Sequence, residues 1–155
     1  MRGGRAEDEK ATMSSERSLA ALVLLRNRPA SNVDWLHQRL GITQSGAVRL
    51  VDRLVALGLV RREKPPGRKE VALHVTASGE AQLEQGLKAR SLAIGALVES
   101  LPTADQAKLA ALISKALAGG SRERGEADVA CRLCNWDACK PVCPVDASVV
   151  TESAD

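Results

Sequence analysis

Between Thr43 and Gly58 the chain sorts its side chains into two faces. At about 100° per residue, Ala47, Leu50, Val51, Leu54 and Leu57 fall within roughly 120° of one another, while Ser45, Arg49, Asp52, Arg53 and Ala56 gather opposite. A helix of this kind must seat its aliphatic face on a core and leave a basic, polar face outward. Thr43 supplies an N-cap and Gly58 a stop. The preceding segment follows the same logic: Ser31-Asn32-Val33-Asp34 opens a helix that carries Trp35, Leu36 and Leu40 and ends at Gly41. Two helices joined by the short turn Gly41-Ile42-Thr43, the second with arginines on its free face, form a helix-turn-helix pattern.

The next residues add a wing. Leu59 to Glu63 reads as a strand, Lys64-Pro65-Pro66-Gly67-Arg68-Lys69 as a turn-rich basic tip, and Glu70 to Val75 as a returning strand with Val71, Leu73 and Val75 on one face. Upstream, Ser14 to Arg28 reads as a helix stopped by Pro29, behind a loose polar arm over residues 1–13. Downstream, Thr76 caps a long helix bearing Leu83, Leu87, Ile94, Leu97 and Leu101. Thr103-x-x-Gln106 then matches a capping box for a last helix with Leu109, Leu112, Ile113, Ala116 and Leu117 on one side. These seams exceed what one small winged helix can cover, so they are expected to pack on a second copy. The expected fold is mainly α with a small β-hairpin, a winged helix-turn-helix with flanking dimerisation helices. The expected layout is an arm at 1–13, the winged-helix and dimerisation domain at 14–118, a polar linker at 119–130 and a cysteine-rich tail at 131–155.

Charge placement suggests a partner. The 155 residues hold 22 Lys+Arg against 19 Asp+Glu, a net +3 that names nothing by itself. From Arg49 to Glu70, however, seven basic residues stand against three acidic ones, a local +4, and the remainder nets −1. Positive excess on a helix face and a hairpin tip suits double-stranded DNA, with the helix in the major groove and the wing over neighbouring phosphates. Thr43, Gln44, Ser45 and Arg49 occupy the half of the helix that meets base edges, Gln suiting adenine and Arg guanine. Arg53, Arg61, Arg62 and Lys69 suit phosphates, and Arg68 at the tip suits a minor groove. The absence of Phe and Tyr excludes the aromatic stacking platforms of single-strand and RNA-binding sheets. The competing reading is a small redox or protein-interaction module whose winged helix grips a protein.

The stretch Leu40-Gly41-Ile42-Thr43-Gln44-Ser45-Gly46-Ala47-Val48-Arg49-Leu50-Val51-Asp52-Arg53-Leu54-Val55-Ala56-Leu57-Gly58-Leu59-Val60-Arg61-Arg62, followed by the wing and Leu73-His74-Val75-Thr76-Ala77-Ser78-Gly79, resembles the MarR family of winged-helix transcriptional regulators. The resemblance spans 14–118. It implies a homodimer on a pseudo-palindromic operator, repressing nearby genes until a ligand or oxidant loosens its hold. Two features depart from the family pattern: the N-terminal helix reads short, and Pro65-Pro66-Gly67-Arg68 replaces an Asp-rich wing turn.

All four cysteines, Cys131, Cys134, Cys139 and Cys143, lie within 13 positions. Four thiolates in so short a loop can wrap one tetrahedral ion or cluster, and Cys-x-x-Cys is a chelating knuckle. The ending Cys139-Lys140-Pro141-Val142-Cys143-Pro144 resembles the close of a bacterial ferredoxin motif and puts an iron-sulfur cluster first. A zinc knuckle with Cys in place of its His comes second, and a metal-free thiol switch third.

The remaining residues read plainly. Residues 1–10 lack the apolar stretch of a secretory signal, and the longest apolar run, Leu19 to Leu25, is too short for a membrane span, which points to the cytoplasm and no membrane. His37 and His74 read as structural or surface residues, Trp35 as core, and Trp136 as packing over the cysteine loop. No nucleophile triad, phosphate loop or carboxylate pair stands out, so no enzymatic activity is expected.

Overall fold

The computed structural model describes residues 4–67 and 69–150, with side chains from Glu16 onward. It divides into two compact units, residues 1–84 and 85–155. The first opens with α1 (Gly4–Asn27). Six consecutive residues of it, Ala20 to Leu25, are buried, so the helix is enclosed on every side over that stretch. Leu36, Val51, Leu54, Val60, Leu73 and Leu83 complete an aliphatic core. The helix expected from Ser14 begins at Gly4 instead, and the arm expected over 1–13 is helical from there on. Arg5 to Ala11 has no apolar stripe, yet it is mostly Ala, Glu, Lys and Arg, which favour helix by propensity alone.

In α2 (Val33–Leu40) the Asn32 Oδ1 accepts the Trp35 N–H at 2.8 Å, and Gly41 ends the helix at φ +62°, a conformation that favours glycine. In α3 (Gln44–Ala56) the Thr43 Oγ1 accepts the Gly46 N–H at 3.1 Å. Ala47, Val51 and Leu54 are buried as expected, but Leu57 is 60% exposed. The helix has ended at Ala56, and Leu57, as its C-cap, no longer follows the helical stripe.

The wing pairs β1 (Val60–Glu63) with β2 (Ala72–Val75), antiparallel, in the register Val60 to Val75 and Glu63 to Ala72. Val71 lies outside the strand and is exposed, against the alternation expected from sequence, while the consecutive residues Ala72 and Leu73 are both buried. The Leu73 N–H donates to the Ser31 carbonyl at 2.9 Å, so the loop after α1 covers the second edge of β2.

From the wing the chain enters α4 (Ala77–Glu99), whose first turn is capped by Thr76: its Oγ1 accepts the Gly79 N–H at 3.0 Å and donates to the Gly58 carbonyl at 2.6 Å. The second unit holds the later part of α4, then α5 (Thr103–Ala118), α6 (Arg124–Ala130), α7 (Trp136–Cys139) and 3-10 turns at Lys140–Val142 and Asp146–Ser148. The capping box expected at Thr103 does not form. Pro102 takes the N-cap position, and the Gln106 Nε2 donates to the Leu101 carbonyl at 2.9 Å. The linker expected over 119–130 contains α6, opened by a reciprocal capping box between Glu123 and Glu126. Among the described residues no helix is long and apolar enough to cross a membrane.

Candidate nucleic-acid interface and thiol cluster

Locking one face of α3 into the core turns the other outward. Thr43, Gln44, Ser45, Arg49 and Arg53 are all exposed. Thr43 serves the fold as well, since its hydroxyl oxygen caps the helix and stands 3.3 Å from the Ser45 hydroxyl. On the wing, Lys64 and Lys69 are exposed, and Arg68 lies outside the described residues.

Arg61 and Arg62 are present on the expected surface but already engaged. Arg61 pairs with Glu63, and this hydrogen bond and charge hold the Glu63 carboxyl below the usual carboxylate range. The Arg62 Nη2 reaches the Asp52 Oδ1 on α3 at 2.7 Å. Both pairs are solvent-exposed, and exposed pairs of this type are weak enough for a phosphate to compete. The Asp52 partnership is a cross-link between helix and wing that the one-dimensional pattern does not expose. A second tie is the Asn32 Nδ2 donating to the Glu70 Oε2 at 2.7 Å.

His37 is structural: its Nδ1 stands 3.3 Å from the Ile42 carbonyl and its Nε2 3.2 Å from the Asp34 Oδ1, which braces the turn between α2 and α3. His74 lies 3.7 Å from Glu63 across the wing. Trp35 is only half-buried, with the Arg28 and Arg39 guanidinium carbons 5.7 and 5.0 Å from its ring centroid. Its indole Nε1 is buried, so the ring expected in the core is partly enclosed there, with two cations beside it.

Three of the four cysteines belong to a small core of their own. Ala127, Cys143 and Val145 are buried together, and Cys131, Trp136, Cys139 and Val149 pack against them. Trp136 therefore packs on the cysteine loop as expected. Cys131 is the C-cap of α6, and the Cys134 N–H donates to its carbonyl at 2.9 Å, giving the first pair a tight turn. Burial, then the neighbouring thiols of Cys134 and Cys143, push the Cys131 thiol up to about 12. Burial and a hydrogen bond with Cys143 also raise Cys139. The Asp146 N–H donates to the Cys143 Sγ at 3.4 Å, a bond suited to supporting a thiolate.

Four neighbouring soft sulfurs, with a backbone donor aimed at one of them, are the donor type that thiophilic metals and clusters prefer. Their positions are clustered rather than closed: among the described residues, no three His, Cys, Asp or Glu side chains stand at metal-binding spacing.

A family model described as MarR family, MarR_2, matches residues 13–69. Among solved structures, RV1404 from Mycobacterium tuberculosis is 28% identical, with a TM-score of 0.56 and a match covering 75% of this chain and 89% of that one. MepR, a transcription regulator of the Staphylococcus aureus multidrug efflux pump MepA, is 18% identical at a TM-score of 0.57, covering 68% and 77%. FabT of Streptococcus pneumoniae, solved in complex with DNA, is 13% identical at a TM-score of 0.54, covering 63% and 69%. The mainly helical fold with a two-stranded wing is therefore shared with these proteins. No match was found among curated proteins.

Proposed function

We propose that this chain is a MarR-family transcription regulator that binds double-stranded DNA as a homodimer on a pseudo-palindromic operator, acts as a repressor, and senses redox or metal state through its four-cysteine tail. The observation that carries the reading is the outward face of α3: Gln44, Ser45, Arg49 and Arg53 stand exposed on a helix whose opposite face is held by Ala47, Val51 and Leu54 in the core. A rigid helix with Gln and Arg at its free N-terminal half is suited to base edges, and the wing lysines to phosphates. Support for the homodimer comes from Leu92, Leu97 and Leu112, which are 65%, 73% and 66% exposed in the single chain. Aliphatic surface of that kind calls for a covering partner. Cys131, Cys134, Cys139 and Cys143 are the residues that would hold an iron-sulfur cluster or a zinc ion. Such a group, when bound, supplies a cross-link whose presence depends on oxidants or metal supply.

The test is binding to the chain's own upstream DNA. Arg49→Ala is expected to cost about 1–3 kcal/mol and to relax preference at one base position, while Lys69→Ala weakens binding to all sequences and lowers the salt slope by about 1. A chain that shifts no duplex yet binds a protein tightly through this face would overturn the proposal.

A further inference from the structure

One face of the wing lines up an arginine, a glutamate and a histidine. In the antiparallel ladder Arg61 stands directly opposite His74, and Glu63, two residues beyond Arg61, shares their face. A single carboxylate oxygen serves both neighbours: the Arg61 Nη1 donates to the Glu63 Oε2, and the His74 Nε2 stands 3.7 Å from the same atom. That distance is beyond a hydrogen bond, so Arg61 holds the oxygen and His74 stands second in line. The Arg61 side chain is 55% exposed and the His74 side chain 24%, which leaves the arginine open to an approaching anion and the imidazole sheltered beside the carboxylate. The other charged groups near β2 are engaged or distant in the chain. Arg62 lies on the opposite face with Asp52, Arg26 of α1 pairs with Glu84 at 2.5 Å, and Glu70 accepts from Asn32. Arg28, in the loop along the second edge of β2, lies over the Trp35 ring, and Glu16 and Arg17 of α1 are exposed ahead of its buried stretch.

From this geometry we infer that His74 is a stand-in counter-ion for Glu63: when a DNA phosphate draws Arg61 away, the imidazole takes a proton from solvent and holds the stranded carboxylate, so that duplex binding takes up a proton. The inference rests on the DNA-binding reading given above. While Arg61 stays on Glu63 the pair brings no net charge to a phosphate. Once Arg61 leaves, it brings a full positive charge but abandons an anion next to other anions, and like charges set side by side oppose binding. Charging His74 removes that conflict, because an imidazolium Nε2–H already faces the carboxylate, and a movement of about 1 Å brings it to the length of a charge-assisted hydrogen bond. The proton goes to the histidine and not to the glutamate. The hydrogen bond and charge of Arg61, and last the charge of His74, hold the Glu63 carboxyl below its ordinary range, so Glu63 remains the anion while the imidazole titrates. His74 is a positioning residue: it frees Arg61 for the phosphate and touches no DNA itself.

The experiment measures binding of the full chain to a fluorescently labelled duplex from its own upstream region, at fixed salt, from about pH 8 to about pH 5.5, the window in which imidazoles charge. A complex that holds more protons than its separate parts gains affinity as pH falls. The dissociation constant is therefore expected to drop about fivefold or more towards the acid end, the low side of the roughly 5–150-fold span of coupled sites. Calorimetry in buffers of different ionisation enthalpy should register net proton uptake on binding. The chain has two histidines, which makes the assignment tractable. His74→Gln should flatten the pH profile and abolish the uptake, whereas His37→Gln should keep both. Glu63→Gln should bind more tightly across the range and lose the pH dependence, since no carboxylate is stranded. A parent chain that binds duplex with a flat profile would overturn this inference and leave the DNA-binding reading standing. So would a profile equally steep in the parent chain and in either His74→Gln or Glu63→Gln. A chain that binds no duplex at any pH would overturn the DNA-binding reading and the inference with it.

Discussion

Gly79 shows how a single missing side chain holds the first unit together. A Cβ at this position would stand 2.1 Å from the Leu59 carbonyl oxygen, so the first turn of α4 rests directly on the base of the wing. Gly79→Ala is expected to destabilise the chain by about 1–3 kcal/mol, the cost of forcing backbone apart in a packed site, measured as a lower denaturant midpoint. The caps Asn32, Thr43 and Thr76 were readable in the sequence because a cap is a local event, a side-chain oxygen and an N–H three residues on. The reason for Gly79 was not readable, since the atom it avoids lies 20 positions earlier, brought near only by the fold. Trp35 reads as core and is partly buried, but the two arginines beside its ring, Arg28 and Arg39, come from positions that no local pattern singles out.

The helix-turn-helix was the most legible part of the fold, because amphipathic period, cap and glycine stop all agree between Ser31 and Gly58. Agreement fails where only one signal is present. The start of α1 has propensity without periodicity, and α6 is too short to show a stripe, so its Glu123/Glu126 box is the one available sign. Thr103 and Gln106 carry a true motif that Pro102 displaces by taking the cap. Between α3 and β1, the ion pair of Asp52 with Arg62 gives a direct prediction. Asp52→Asn removes a negative charge from the reading face and releases Arg62 for phosphate. Operator affinity should rise, and the slope of log K against log salt should steepen by about 1 in a titration series. An unchanged slope would mean that Arg62 stays on the wing and meets no phosphate.

The proposed dimer would use surfaces that a single copy leaves open. Leu112→Asp is expected to shift the protein to monomer in sedimentation equilibrium, to weaken operator binding strongly, and to leave the unfolding midpoint of the dilute chain nearly unchanged, because the side chain is 66% exposed in one copy. The outward basic face and the clustering of the thiols were legible as residue positions, whereas the bonds from Arg90 to the Leu133 carbonyl and from Arg122 to the Leu117 carbonyl depend on tertiary contacts no spacing reveals. The scarcity of aromatic residues has an optical consequence. With two tryptophans and no tyrosine in the chain, all near-ultraviolet fluorescence comes from Trp35 in the first unit and Trp136 in the second. Each unit carries its own dye, and replacing either indole with phenylalanine leaves a protein whose glow reports one half of the molecule alone, the winged-helix end or the cysteine-bearing end.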